Sequence, residues 1–346
     1  MSILSGVGDF FGLDIGASAV RLVHAPHSGD VASLARYAYV PLDGKISLSD
    51  SEADRQKLAQ AIKELVAQAK VPTANVAVGI PSNRVFTTVV DFDKLSPAEL
   101  EKAIKLQAGS LIPTPIESSK VDWAVTGDSP VDTNKVEVLL SSVPNEYVEK
   151  RLDMLESIGL NVVALEPDNL AMARAIFDPT TTTAQMAIDI GVKTTDLVIS
   201  IGGIPRLCRS IPTGSEAIIK SAMQNLSIDE KQAEQFVFKF GLSKDKLEGQ
   251  VHNAILGTIE TLTAEIEKSI KFVTTRYKDV AIERIIVIGA AAALPELPVF
   301  VANKFKVNVE IGNAWRNVSF ATKQQNELLA VSNHFAVAAG LAGRTS

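Results

Sequence analysis

Apolar positions along the chain fall into two patterns. Short runs bounded by Gly, Asp and Pro predict strands, and longer stretches with three-to-four-residue spacing predict helices. Phe10–Ile15 ends at Asp14-Ile15-Gly16-Ala17-Ser18, and Ala19–His24 follows at once, which predicts a tight hairpin. A third strand is expected over Val31–Val40. Ala53–Ala69 then carries Leu58, Ile62, Leu65, Val66 and Ala69 on one helical face, and Val76–Ile80 is another short strand. The same order restarts later. Met186–Asp189 leads into Asp189-Ile190-Gly191-Val192-Lys193-Thr194-Thr195, and Asp196–Ile201 and Ile204–Ile211 continue as a meander. Helices are expected at Ser215–Asn225, Asp229–Phe240 and Val251–Tyr277, and then a buried strand, Arg284–Ile288. The two Asp-Ile-Gly units lie 175 residues apart, about one domain length, so the pattern is that of an internal duplication.

Residues 84–157 read as an insertion into the first unit. A strand (Val85–Phe92) precedes a helix opened by Ser96 as N-cap, with Pro97 at the first position and Glu99 in the first turn. Strands Lys120–Val125 and Val136–Val143 flank a polar loop. A helix, Asn145–Ser157, leads to the strand Asn161–Leu165. Thr180-Thr181-Thr182-Thr183 is either a hinge or a surface loop. The expected organisation is an α/β fold of two domains: residues 9–178 joined by 319–346, with the helix Asn326–Ala342 returning to the first domain, and residues 179–318.

Length supports this division, since 346 residues exceed the usual single core. Hydrophobic residues make up 46% and charged residues 21%, ordinary for a folded globular chain. The net charge of −6, without a dense Lys/Arg cluster, argues against nucleic acid as a partner. The single cysteine, Cys208, allows no intrachain disulfide, and its strand context suits a packed thiol. Met1 to Phe11 lacks Lys and Arg, and no window approaches the ~20 apolar residues of a membrane span. The expected location is therefore the cytoplasm.

The hairpins carry the candidate chemistry. Glycine lets backbone approach a phosphate, and successive N–H groups in a turn can cradle its oxygens. A carboxylate at the strand end can hold Mg²⁺ through water. Either hairpin alone is more often just an ordinary turn; the repetition favours two loops clamping one polyphosphate. Arg21, on the outgoing strand, is either a phosphate contact or a surface cation. In Glu166-Pro167-Asp168, Glu166 suits a cleft carboxylate that positions water, and Asp168 suits a helix N-cap.

These elements resemble the actin-like (ribonuclease H-like) ATPases, in which phosphate-1, connect-1, phosphate-2 and adenosine elements surround a nucleotide cleft. The corresponding segments are Asp14–Ser18, Glu166-Pro167, Asp189–Thr195 and Ile286-Val287-Ile288-Gly289. More narrowly, Leu95-Ser96-Pro97-Ala98-Glu99-Leu100-Glu101-Lys102-Ala103-Ile104, then Leu111-Ile112-Pro113 and Asp122-Trp123, is similar to the PilM family of type IV pilus assembly proteins. So is Ser157-Ile158-Gly159-Leu160 leading into Ala164-Leu165-Glu166. The resemblance covers nearly the whole chain and implies a duplicated fold with an FtsA-like 1C-type insertion.

It also implies ATP and Mg²⁺ as ligands, with slow hydrolysis at most, and a scaffold role in the inner-membrane assembly complex. The implied partner is the N-terminal cytoplasmic peptide of a PilN-like membrane protein, which would hold the chain at the inner face of the membrane; pilus motor ATPases are a further candidate. Carried over by position, Asp14, Gly16, Ala17, Ser18 and Arg21 fall on the first phosphate site, and Asp189, Gly191, Lys193, Thr194 and Thr195 on the second. Asp14 and Asp189 would share the metal's water shell. Gly214, Ser215, Glu216, Glu234, Gly289 and Ala290 would line the nucleotide, with Glu166 placing water. Two positions depart from the family pattern: Val237 replaces a Lys, and Gly289-Ala290-Ala291 replaces three glycines. A positive φ at Ala290 would cost about 1 kcal/mol. For the peptide, the extended apolar rim Ile112, Pro113, Pro115 and Ile116 is the candidate dock; the alternative is that Ile112 and Pro113 tuck the helix end into the subdomain.

The competing readings are an FtsA-like scaffold, a type II secretion scaffold, and a small-molecule kinase of the same superfold. FtsA ends in a basic amphipathic helix, whereas Phe335-Ala336-Val337-Ala338-Ala339-Gly340-Leu341 suits core packing. A kinase needs a polar acceptor pocket, which the Leu-, Ile- and Pro-rich insertion does not offer.

Overall fold

The computed structural model describes residues 8–28, 31–49 and 51–345. Two five-stranded sheets form the frame. In the first, the spatial order is Asn161–Pro167, Asn75–Ile80, Phe11–Ile15, Ala19–His24, Arg36–Pro41. In the second it is Ile204–Ile211, Thr195–Ile201, Ala184–Ile190, Ile282–Ile288, Asn308–Ile311. Each has an antiparallel hairpin beside parallel strands: Phe11–Ile15 pairs antiparallel with Ala19–His24 and parallel with Asn75–Ile80, and Ala184–Ile190 does the same with Thr195–Ile201 and Ile282–Ile288.

The expected strand Val31–Val40 is broken at Leu34-Ala35. Val31–Ser33 leaves the first sheet and pairs in parallel with Val318–Ser319, and Arg36–Pro41 alone pairs with Ala19–His24. The expected C-terminal helix is also interrupted. It forms Gln325–Val331, a 3₁₀ turn at Ser332–His334, and Ala336–Ala342.

Both faces of the second sheet are buried, which explains its near-continuous apolar runs. Met186, Ile188, Leu197 and Ile199 pack under the helices Ser215–Leu226, Glu230–Phe240 and Gln250–Arg276 in one core. On the opposite face Ala187, Val198, Cys208 and Ile286 share a second core with the helix Asp168–Ile176, Trp315, Phe335 and the helix Ala336–Ala342. Burial pushes the Cys208 thiol up to about 12, as expected of a packed, unreactive group. This second core is a seam joining the lobes that carry the two sheets.

The seam is built from small residues because backbones approach closely there. A Cβ on Gly340 would lie 1.7 Å from the carbonyl oxygen of Ala171, and one on Gly12 would lie 2.4 Å from that of Ala338.

The inserted subdomain is a three-stranded sheet ordered Phe86–Asp93, Lys135–Pro144, Ser119–Asp128, covered by the helix Pro97–Leu111. Glu99 accepts hydrogen bonds from the Ser96 backbone N–H at 3.1 Å and hydroxyl at 2.6 Å, fixing the helix start. Leu100, Ile104, Val138 and Leu140 form its core. On the other sheet face Glu137, fully buried, is tied to the second lobe. It accepts from Tyr277 Oη at 2.6 Å and Arg276 Nη2 at 2.8 Å, and it pairs with Arg206. Arg276 also reaches Asp91 at 2.7 Å.

The seam makes an unambiguous stability prediction. Gly340→Ala lowers stability by about 2 kcal/mol or more through overpacking. Gly109→Ala, on an exposed stretch of the helix Pro97–Leu111 with nothing within 4 Å of the new methyl, raises it by about 0.5–1 kcal/mol. Denaturant midpoints of the two variants check both signs.

Candidate functional site

A cleft lies between the lobes where parallel strands of both sheets end. Ligands of open α/β sheets gather at such carboxyl ends. Its lining includes Asp14, Gly16, Ala17, Ser18 and Arg21 of the first hairpin. It also includes Asp189, Gly191, Lys193 and Thr194 of the second hairpin, with Gly289 and Ala290 beyond the strand Ile282–Ile288. The two Asp-Ile-Gly hairpins therefore face one another across one cavity.

Each hairpin closes in the same way. Gly16 donates to the Ala19 carbonyl at 3.0 Å, and Gly191 donates to that of Thr194 at 2.9 Å. Glycine is required at 289, which sits at φ +88°, and a Cβ there would come within 2.1 Å of Asp189 Oδ1. Ala290 opens a right-handed 3₁₀ turn and takes no positive φ. The strain expected there does not arise, because the left-handed position falls one residue earlier.

Several expected residues lie elsewhere. Glu166 is not in the cleft: it sits inside its strand opposite Gly79, where its carboxylate receives Arg174 Nη1 at 2.8 Å and Arg344 Nη1 at 3.2 Å. Asp168, expected as a cap, clears the strand end by one residue and joins the cleft. A Cβ on Gly79 would meet its Oδ1 at 2.1 Å, so this glycine makes room for the carboxylate. Thr195 is fully buried, with its hydroxyl donating to the Thr213 carbonyl at 2.7 Å. Gly214, Ser215 and Glu216 buttress the second hairpin from behind. Ser215 and Glu216 donate backbone N–H groups to Gly191 and Val192, at 2.9 and 3.1 Å, and the Glu216 carboxylate pairs with Lys193. Glu234 is exposed on the helix Glu230–Phe240 outside the cleft lining, and Val237 is buried in the second lobe's core.

Four carboxylates meet in the cleft: Asp14, Asp168, Asp189 and Asp196. Asp14 faces Arg21 across its hairpin, at 3.3 Å from Nη1 to Oδ2. The equivalent cross-strand pair in the second hairpin is Asp189 and Asp196, two acids. The same seven-residue spacing in the sequence would have found Asp196. Burial pushes Asp189 up to about 7 and Asp196 up to about 6, with like charge adding to the shift at Asp189. Asp168 is raised well above the usual carboxylate range by burial and by Asp14, Asp196 and Asp189. Burial raises Asp14 too, against the opposing pull of Arg21. The remaining lining that sequence reasoning missed includes Asn83, Arg84, Tyr147 and Arg151 from the first lobe, and Asn333 and His334 from the C-terminal 3₁₀ turn. Asn333 arrives there because its carbonyl accepts from Gly289 N–H at 2.9 Å.

The acid cluster sets a pH dependence. These carboxyls hold their protons more tightly folded than unfolded, so the folded chain binds more protons between the ordinary aspartate value of 3.8 and about 7. Stability of the ligand-free protein therefore falls as pH rises through that window. Thermal melts from pH 5 to 7.5 are expected to show a declining midpoint. Asp189→Asn, neutral throughout, flattens the decline and raises the midpoint at pH 7.5.

With this geometry in hand, comparison with known proteins is direct. The model of the family described as type IV pilus assembly protein PilM matches residues 12–346. Among solved structures, the chain is similar to the PilM-PilN type IV pilus biogenesis complex. Identity there is 26%, the TM-score is 0.83, and the match covers 98% of this chain and 99% of that one. Ethanolamine utilization protein EutJ from Carboxydothermus hydrogenoformans matches at 15% identity and TM-score 0.56, over 96% and 88% of the two chains. MreB5 of Spiroplasma citri bound to AMPPNP matches at 14% and 0.52, over 96% and 95%. The last two establish the fold alone, that of the actin-like ATPases. Over nearly its full length, then, the chain belongs to the PilM family of type IV pilus assembly proteins.

Proposed function

We propose that the chain is a nucleotide-binding scaffold of type IV pilus assembly that works at the cytoplasmic face of the membrane through a PilN-type partner. The observation that supports the nucleotide half most directly is the facing pair of hairpins over a floor of four carboxylates. The residues fit a magnesium nucleotide. Asp168 Oδ1 and Asp196 Oδ1 are buried without a hydrogen-bond partner, an arrangement that calls for a cation or its water shell. Among the described residues no three acidic, histidine or cysteine side chains converge on a metal directly. An ion held through water and phosphate oxygens suits this geometry, since Mg²⁺ dehydrates reluctantly.

When bound, the metal would neutralise the phosphates and lower the repulsion among the carboxylates. The hairpins would take the phosphates from both sides, and Gly289 would let backbone approach. Asp168 takes over the water-orienting role assigned to Glu166 from sequence. Turnover below about 1 s⁻¹ is expected of a scaffold.

For the partner, the rim at Ile112 is revised. Ile112 is 6% exposed and packs with Phe92, Leu100 and Ile104, so it belongs to the subdomain core, and Ile116 leans on the same core. Pro113 and Pro115 are exposed and line neither the cleft nor the groove described next. A groove lies instead between the inserted sheet and the first lobe. Ala124, Leu139 and Val143 form one wall, Leu165 and Leu170 the other, with Lys120 and Asp122 at hand for polar contacts. An extended peptide could lay alternate side chains into such a groove. Ordering a short free peptide costs entropy, so micromolar affinity is expected.

Two measurements test these halves separately. Asp14→Ala, Asp168→Asn and Asp189→Ala are each expected to weaken Mg-ATP binding about tenfold or more by calorimetry; wild-type affinity in all three removes the cluster from the site. Ala124→Arg, on an exposed position, is expected to abolish capture of a PilN N-terminal peptide without changing Mg-ATP affinity or the melting midpoint. Ile112→Asp lowers the midpoint instead, since it buries a charge in a core. Unchanged capture by the Ala124→Arg protein would rule the groove out.

A further inference from the structure

The inserted sheet ends in an edge strand whose facing can be worked out. Its order places Ser119–Asp128 outermost, beside Lys135–Pro144. Antiparallel neighbours exchange hydrogen bonds at every second residue, so a single bond sets the facing of a whole strand. Two bonds set it here. Lys94 donates its N–H to the Asn134 carbonyl at 3.0 Å, and Ser129 donates to that of Lys135 at 3.0 Å. Even-numbered residues of Lys135–Pro144 therefore turn to Phe86–Asp93, and odd-numbered ones to Ser119–Asp128. The bonded pairs on that side are Lys120 with Val143, Asp122 with Ser141 and Ala124 with Leu139. Val121, Trp123 and Val125 are left pointing N–H and C=O away from the sheet. The Trp123 N–H agrees, since its acceptor at 2.9 Å is the carboxylate of neighbouring Asp122.

That edge opens into the groove between the inserted sheet and the first lobe. Lys120 to Ala124 line it without a gap. Side chains of a strand alternate between faces, and those of Val121 and Trp123 pack into the core beneath the helix Pro97–Leu111. What these two residues turn to the groove is backbone. Sheet edges are commonly shielded by proline, charge or bulges. Here the prolines stop at Pro115, and the register break comes only between Val125 and Gly127. Between them the shield over the Trp123 N–H is one exposed carboxylate, Asp122, which can swing aside.

We propose that the partner peptide binds by adding a strand to this edge, with its backbone bonded to Val121 and Trp123. The proposal rests on the reading of the groove as the partner site and states how that groove binds. Main-chain hydrogen bonds supply affinity, and alternate side chains supply specificity. One set of peptide side chains would face Leu165 and Leu170 across the groove. The ligand class is an extended peptide, apolar at the groove-facing positions and free of proline wherever an N–H must meet the strand.

The test uses the full-length chain and a synthetic peptide with the N-terminal sequence of a PilN protein. On binding, residue-resolved hydrogen exchange is expected to slow about tenfold or more at the Val121 and Trp123 amides. The amides of Lys120, Asp122 and Ala124, already in the ladder, hold their rates. N-methylation along the peptide is expected to weaken binding about three- to tenfold at every second residue and little between. Val121→Pro removes an outward N–H without touching a ladder bond and weakens capture about tenfold. Val121→Ala trims the same side chain, keeps the N–H and keeps the affinity. If Val121→Pro does not fold, exchange and N-methylation on the wild-type chain decide. Capture with unprotected Val121 and Trp123 amides and no two-residue period overturns the added strand while leaving the groove in place. A wild-type chain that captures no peptide removes the partner reading, and the added strand with it.

Discussion

The cleft depends on the apolar seam beneath it. Four carboxylates repel one another and lose hydration, and Arg21, Arg151 and the hydroxyls of Ser82 and Ser210 offset this only in part. What holds them together is the core shared by Ala187, Val198 and Ile286 of one sheet with Ala171 and the C-terminal helix of the other lobe. That core tolerates only small residues at its closest points, Gly12 and Gly340. Apolar burial here is non-directional and additive over many residues, so it can hold a local electrostatic arrangement that would not assemble by itself. Strain of this kind gathers at functional sites because the surrounding structure fixes it.

The duplicated hairpins were legible because their signal is local. A strand, an aspartate, a glycine and a returning strand need no distant partner to be recognised, and the inserted helix announced itself through Ser96, Pro97 and Glu99. Legibility failed wherever a side chain's direction depends on where a strand stops. Glu166 and Asp168 differ by two positions, yet one faces Arg174 on the sheet and the other faces the cleft. No propensity distinguishes them. The clue was Gly79 on the neighbouring strand, whose missing side chain leaves the space that Asp168 fills. Asn333 and His334 escaped notice because a stretch of good helix formers is interrupted by contact with Gly289, a long-range hydrogen bond that sequence periodicity does not carry.

The two hairpins also show that duplication need not preserve chemistry. Arg21 and Asp196 occupy the same cross-strand position relative to their aspartates. The first lobe thereby neutralises its own acid, and the second doubles its negative charge. The unpartnered carboxylate oxygens, Asp168 Oδ1 and Asp196 Oδ1, come one from each lobe, so the demand for a cation spans the cavity.

Glu137 gives the inserted subdomain two attachments of different kinds. Its chain ends join it to the first lobe, and its buried carboxylate is clasped by Arg206, Arg276 and Tyr277 of the second. Separating those partners would strand charges away from water, at a cost of about 3–5 kcal/mol, so the clasp resists slipping. The clasp fixes the sheet to the second lobe, while Val143 and Val148 pack the insertion against Ile80 of the first, so the groove bounded by Ala124 and Leu170 stands where both lobes bear on one small sheet.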